Sequence, residues 1–181
     1  MENELLGSVL KRMRYYRDLT EKALLPLDPS QWHFQPAAGS NSISVIIQHL
    51  SGNIRSRWTG FPDADGEKPW RNRDAEFVES GETAADLMRE WNAAWDIVED
   101  SFARLLPADL NREVTIRGEG LSVTDAITRQ LAHLAYHCGQ VVFLSKLLQG
   151  EGFQSLSIPR GNSSQYNNAE GFKDPAKKFG Q

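Results

Sequence analysis

The chain has 181 residues, a length that fits one domain with an ample core. Its net charge of −4 and the lack of basic runs longer than a pair argue against nucleic-acid binding, because nucleic-acid-binding proteins usually carry a basic surplus on one face. One cysteine excludes an intramolecular disulfide, and with no signal peptide and no apolar stretch near the roughly 20 residues that span a bilayer, we expect a cytoplasmic protein without membrane partners.

The first half of the chain contains two segments whose apolar residues recur at steps of three and four, which marks one face of an α-helix. The first segment ends before Pro26. Asn41 or Ser42 can cap the second, because either side chain can accept a hydrogen bond from a first-turn amide. Residues 60–82 follow without a helical period. This stretch is longer than an ordinary connection and indicates a crossover or a functional loop.

Two more helical segments follow in the second half. Thr83 can cap the third helix, and Pro107 ends it. Alternating apolar residues between positions 113 and 121 predict a short extended or hairpin excursion. Ser122 can cap the fourth helix, which Gly150 stops.

Four helices with a short first connection and a long second one predict an all-α fold, a four-helix bundle with a long crossover between helices 2 and 3. We assign residues 1–150 to this bundle. Residues 151–181 are polar and rich in turn-forming residues. We expect them to form an ordered C-terminal extension that packs on the same domain.

Three of the four histidines fall in predicted helices. His133 and His137 are four residues apart, so they lie on one helix face and can direct nitrogens at one ion about 2 Å away. His49 lies at the border of the apolar stripe of the second helix, and facing helices of a bundle can build a shared metal site. The spacing alone is equally compatible with buried, hydrogen-bonded core histidines.

Other metal sites fit the pattern less well. Positions 134–136 are Leu, Ala and Tyr, so the glutamate of a zinc protease motif is missing. Asp125 is two turns from His133, about 12 Å by helical rise, which disfavours an iron site with two histidines and a carboxylate. Three imidazoles suit a divalent metal ion such as zinc or nickel. We interpret His33 as a structural or surface residue and Cys138 as a small core residue.

The sequence segments around the three histidines also resemble those of a known protein family. One histidine lies in NSISVIIQHLSGN, which gives His49, and the pair lies in RQLAHLAYHCGQVVFLSKLL, which gives His133 and His137. Their order and helical placement resemble the DinB/YfiT-like superfamily of bacterial metalloenzymes. The likeness spans essentially the whole chain, and three further segments look like one uncharacterised branch of that family: GEKPWRNRDAEF, RGEGLSVTDAI and SLSIPRGNS.

The resemblance implies a four-helix bundle, often a homodimer, with a divalent metal at the three histidines. Better-known relatives are thiol-dependent enzymes, among them bacillithiol S-transferases and a mycothiol-dependent maleylpyruvate isomerase. Three protein ligands leave one position open, where a small-molecule thiol can bind as thiolate or a water can become a hydroxide. The resemblance favours thiol S-transferase chemistry on a small molecule. A metal-dependent hydrolase, a non-catalytic metal-binding stress-response protein and a metal-free interaction module remain as alternatives.

Several polar residues are candidates for supporting roles. Gln140 is nearly on the face of His133 and can bond a metal-bound species or substrate, which makes it a catalytic candidate. Asn53, one turn from His49, can fix the other ring nitrogen of that histidine. Arg160 can clamp a substrate anion. Each has a purely structural alternative. Three residues of the crossover can cover the pocket or bridge a dimer: Trp70, Arg71 and Arg73.

Overall fold

The computed structural model describes residues 4–171 and 173–180. Most of this part of the chain is helical, and the prediction of an all-α bundle is confirmed. The four long helices are α1 (Glu4–Leu24), α2 (Ile43–Trp58), α3 (Ala84–Arg104) and α4 (Val123–Gln149). None of the helices in the described ranges is both long enough and apolar enough to cross a membrane.

The helix starts follow the predicted caps. Ser42, Thr83 and Ser122 precede α2, α3 and α4, and each hydroxyl accepts a hydrogen bond from the amide three residues later, at 3.2, 3.1 and 3.1 Å. Such caps satisfy an otherwise unpaired first-turn amide, which contributes about 1 kcal/mol each. Gly150 ends α4 with a φ of 56°, in the left-handed region that favours glycine.

The helices pack in pairs around one core. Helix α2 lies against α3, α1 lies against α4, and α2 also contacts α4. Each fully buried aliphatic side chain contributes about 1.5–3 kcal/mol, so this core fixes the relative position of α2 and α4. Its largest fully buried members are Trp58, Trp91, Trp95, Met13, Ile43, Ile46, Ile47, Leu50, Ile54, Leu87, Ile127 and Leu134.

A small hairpin stands between α3 and α4, where the sequence predicted an extended excursion. Strands β1 (Glu113–Ile116) and β2 (Glu119–Ser122) are antiparallel. The long connection between α2 and α3 is tied to this hairpin, since Asp65 accepts hydrogen bonds from the amides of Arg117 and Gly118 at 2.9 and 2.8 Å. Hydrogen bonds from backbone amides hold the pKa of the Asp65 carboxyl far below its usual range.

The C-terminal segment contains a short helix, α5 (Ser163–Asn168), and a 3₁₀ helix over Pro175–Phe179. It contacts α1, because Arg12 binds both carboxylate oxygens of Asp174 at 2.7 and 2.8 Å. Arg14 also donates to the carbonyl of Phe179 at 3.2 Å. The division into a bundle over residues 1–150 and an extension over residues 151–181 stays a prediction, and residues 1–3, 172 and 181 lie outside the described part.

Candidate metal centre

The three helical histidines meet at one point. His49 comes from α2, and His133 and His137 come from α4. One nitrogen of each ring lies within 4.8 Å of the other two. The Nε2 atoms of His49 and His133 are 3.2 Å apart. Two nitrogens bound at about 2.0–2.1 Å to a tetrahedral ion would be about 3.3 Å apart, so this spacing fits two ligands of one metal.

Local sequence explains why these rings point inward. His49 lies beside Ile46 and Leu50, which are 1% and 0% exposed, so its helix face is turned toward the core. His137 lies between Leu134 and Val141 on the buried face of α4. Because α2 and α4 are in contact, burying these two stripes brings the imidazoles together.

Two of the histidines have their outer nitrogen fixed by an oxygen. His49 Nδ1 donates to Glu76 Oε2 at 2.9 Å, and His137 Nδ1 donates to Gln140 Oε1 at 2.7 Å. Carboxylate and amide oxygens accept hydrogen bonds, so each Nδ1 carries a proton, and in the neutral form of such a ring Nε2 is left with the lone pair that a metal needs. This is the arrangement that orients histidines around a metal.

The surroundings also keep two of the rings neutral. Burial, together with the nearby His137 and His49, lowers the pKa of His133 to about 3. Burial lowers the pKa of His137 to about 4, although the hydrogen bond to Gln140 acts in the opposite direction. Neutral imidazole is the form that binds a metal, so both rings are ready for a cation at neutral pH.

These two pKa values predict how the metal-free protein responds to acid. The unfolded chain takes up protons on His133 and His137 near pH 6.5, whereas the folded protein does so only near pH 3 and 4. Their contribution to stability is therefore present above pH 6.5 and is lost as the pH falls toward these values. With a chelator present, we expect thermal unfolding at a lower temperature at about pH 5 than at about pH 7.5. A variant with both residues changed to Gln should depend less on pH in this interval, and an equal dependence would contradict the prediction.

Glu76 lies in the long connection and is itself held by a buried arginine. Burial would raise the pKa of Glu76, but hydrogen bonds from Arg71 and His49 outweigh it and hold that pKa below its usual value. Arg71 donates to both carboxylate oxygens, each at 2.8 Å, and its side chain is 2% exposed. Gly52 of α2 makes room for this carboxylate, because a Cβ there would lie 2.8 Å from Glu76 Cδ. The site thus includes a third chain segment.

The structure corrects the predicted support for His49. We expected Asn53 to fix its outer nitrogen, but Glu76 makes that hydrogen bond. Asn53 is one turn further along α2, and its Oδ1 is buried without a hydrogen-bond partner in the described ranges. Phe77, next to Glu76, also packs on the His49 ring, with centroids 4.4 Å apart.

Two further candidates occupy different places. Gln140 lies at the site, where it accepts from His137 Nδ1. Arg160 is exposed in the C-terminal segment and is not among the described residues that line the cavity beside the histidines, and its role as a substrate clamp stays a prediction.

The remaining histidine and the cysteine lie outside the triad. His33 is partly exposed and contacts Glu79 Oε2 at 2.8 Å through Nδ1. Cys138 is 2% exposed, and burial raises the pKa of its thiol. Both positions agree with the structural roles that the sequence indicated.

A cavity of about 210 Å³ opens beside the triad, and His49 and His133 are part of its wall. The hairpin and the long connection close it on other sides, through Ile116 and Gly66. Two of the three ligand histidines thus border the cavity, which leaves space for a small molecule next to a bound ion. A closed structural metal site would instead supply a fourth protein ligand.

Fold and site together define a class: helical-bundle proteins with an inward-facing histidine triad that can hold one divalent metal. The family described as "Protein of unknown function (DUF1572)" matches residues 1–162, and the chain belongs to it. This family is a DinB/YfiT-like one, which agrees with the resemblance found in the sequence. A comparison with curated proteins gave no match.

Proposed function

We propose that the protein is a metal-dependent enzyme that holds one divalent cation through His49, His133 and His137 and transfers a small-molecule thiol to a second substrate. One observation carries the proposal: three imidazoles converge on one point, and a cavity adjoins two of them. Nitrogen ligands of this kind suit zinc or nickel.

Each part of the proposed site has a physical task. A divalent cation, when bound, would lower the pKa of a thiol that reaches it and so increase the attacking thiolate fraction. Glu76 and Gln140 hold two of the imidazoles in orientation. The thiol proton passes to solvent, the sulfur forms a bond to an electrophilic carbon of the second substrate, and the leaving group departs with the electron pair of the bond that breaks.

The choice of a thiol over water as the nucleophile comes from the resemblance to bacillithiol S-transferases and the mycothiol-dependent isomerase. The chemistry of the site is compatible with both nucleophiles, since a divalent cation also lowers the pKa of water. Hydrolysis is therefore the alternative outcome of the test.

The test uses the full chain loaded with zinc or with nickel. Bacillithiol, mycothiol, glutathione and cysteine are each offered with chlorodinitrobenzene, and thioether formation is followed by absorbance. We expect metal-dependent turnover with at least one thiol, and loss of that turnover in His137→Ala. Turnover with none of them would contradict the proposal, and thiol-independent hydrolysis of nitrophenyl acetate would favour a hydrolase.

A further inference from the structure

The cavity beside the triad has an apolar wall that the thiol chemistry does not use. It consists of Trp58, Phe61, Val114 and Ile116, each between 2% and 8% exposed. The volume of about 210 Å³ far exceeds the roughly 10–15 Å³ that one water needs. The space therefore admits an organic group about the size of a ring, in contact with apolar side chains.

The rest of the wall is positively charged. Five arginines line the cavity, and the described lining residues include no Asp or Glu. These are Arg57, Arg71, Arg73, Arg117 and Arg129. Two carboxylates contact these side chains, Glu67 and Glu76, so five positive charges against two negative ones leave a surplus of three. The chain as a whole has a net charge of −4, so this surplus is a local property.

Two of the arginines are free of ion pairs. Arg73 and Arg129 are exposed at the cavity and form no ion pair with other residues in the described ranges, although the Arg73 guanidinium lies 4.9 Å from the Phe77 ring centre. Both are therefore available to an anion. Arginine forms paired hydrogen bonds with carboxylates, which are stronger than bonds between neutral groups.

Four buried side chains of the same wall have polar atoms without a hydrogen-bond partner in the described part of the chain. Trp58 Nε1 and Gln130 Nε2 are donors, Asn53 Oδ1 is an acceptor, and the fourth atom, the donor Arg71 Nη1, faces Glu67 Oε2 at 3.6 Å, beyond hydrogen-bond distance. Each of these side chains is at least nine-tenths buried. Buried polar groups in folded proteins are almost always paired, so two unpaired donors beside one cavity, Trp58 Nε1 and Gln130 Nε2, point to an acceptor that the protein itself does not supply.

We propose that this cavity binds a small molecule that carries a carboxylate on an apolar, ring-sized body. The carboxylate would lie among the arginines and the unpaired donors, and the ring would pack against the apolar wall. The inference rests on the proposed function in one respect only, that this molecule is the second substrate on which the thiol acts. Gln130 and His133, one turn apart on α4, join this subsite to the triad.

Benzoate and benzamide form a matched pair for the test, since they share shape and differ in charge. Titration calorimetry with the zinc-loaded full chain should show benzoate binding at least about tenfold more tightly than benzamide, because only benzoate can form charge-assisted hydrogen bonds. Acetate should bind more weakly than benzoate. Equal affinity for benzoate and benzamide would overturn the proposal, and tighter binding of phenyl phosphate than of benzoate would overturn the assignment of a carboxylate.

The charged wall is tested with Arg73→Gln combined with Arg129→Gln. Both side chains are exposed, so the fold should persist, and circular dichroism checks it. We expect benzoate affinity to fall by about tenfold, because two charge-assisted contacts are lost, and benzamide affinity to stay unchanged. Arg89→Gln removes an arginine from the exposed surface of α3, away from the cavity, and as the control should keep benzoate affinity. Unchanged benzoate binding in the double variant would contradict the inference.

Failure of the subsite and failure of the proposed function give different results. If the protein holds metal and turns over thiols but does not prefer benzoate, only the subsite is wrong. If the protein takes up neither zinc nor nickel but still binds benzoate in an arginine-dependent way, the subsite stands and the proposed enzyme function is wrong. Metal analysis on each sample used for calorimetry separates the two.

Discussion

His49→Ala is expected to reduce the metal content from about one equivalent per chain to a small fraction of that value. The change removes one of the three converging imidazoles. The Nε2 atom of His49 lies 3.2 Å from the Nε2 atom of His133. Loss of a direct ligand should weaken affinity by more than the roughly 10–100-fold that follows loss of an outer partner. Metal analysis of freshly purified protein and competition with a chromophoric chelator measure both quantities.

The fourth histidine provides the control for this experiment. His33 is paired with Glu79 and lies outside the triad. His33→Ala removes an imidazole and should keep the wild-type metal content. Equal metal in wild type and His49→Ala would defeat the three-histidine assignment, and loss of metal in His33→Ala would show that the protein binds the ion elsewhere.

Glu76→Gln is expected to lower metal affinity by about 10–100-fold while leaving all three ligands in place. The substitution removes the charge that accepts from His49 Nδ1 and is held by Arg71. Stability should also fall, by about 1–3 kcal/mol. This is less than the roughly 3–5 kcal/mol of a lone buried charge, because Glu67 still faces Arg71 at 3.6 Å. Chelator competition and denaturant unfolding report the two effects, and Glu79→Gln, in the same connection, should leave metal affinity unchanged.

The same carboxylate can be displaced without being altered. In Gly52→Ala, the new methyl group would overlap the Glu76 carboxylate, so the carboxylate has to shift, and we expect its hydrogen bond to His49 to weaken. We expect the metal affinity to fall in the same direction as in Glu76→Gln. Gly139→Ala, on α4 with nothing within 4 Å of the added Cβ, is the matched control and should bind metal normally. Normal affinity in both glycine variants and in Glu76→Gln would show that the outer carboxylate has no influence on the site.

The bundle and the triad could be predicted because both depend on helical periodicity. The apolar stripes of α2 and α4 have to face each other, and His49 and His137 lie on or beside those stripes. Caps at Ser42 and Ser122 follow from local chemistry within one helical turn. The hairpin was predicted for a similar reason, from the alternation of Val114 and Ile116 with polar residues before Gly118 and Gly120.

The roles of Glu76 and Arg71 could not be predicted. Both lie in a connection without regular periodicity, 27 residues of sequence separate Glu76 from His49, and no local rule determines where such a chain returns. Asn53 was favoured because it lies one helical turn from His49. The hydrogen bond to His49 is made instead by Glu76, from outside the helix. The sequence contained one signal of this contact, a glycine inside a helix at position 52. In the structure, the group that approaches α2 closely at this glycine is the Glu76 carboxylate.

Arg160 was a reasonable candidate for an anion clamp by residue type, but its position depends on the path of the C-terminal segment. The cationic groups that do line the cavity come from α2, the long connection, the hairpin turn and α4. Their convergence depends on tertiary contacts, such as the bond from the Gly66 amide to the Thr115 carbonyl at 2.8 Å, which spacing along the chain does not reveal.

The connection between α2 and α3 supplies a part of the site that the bundle does not. The bundle fixes which ring nitrogens converge. The loop supplies Glu76, the carboxylate that accepts a hydrogen bond from His49 Nδ1. Exchanging this loop between relatives would therefore change how strongly the His49 imidazole donates electrons to a metal, while the ligands in the bundle stay the same. Such an exchange has to keep the buried contacts that the loop makes with the bundle, among them those of Phe61 and Arg71.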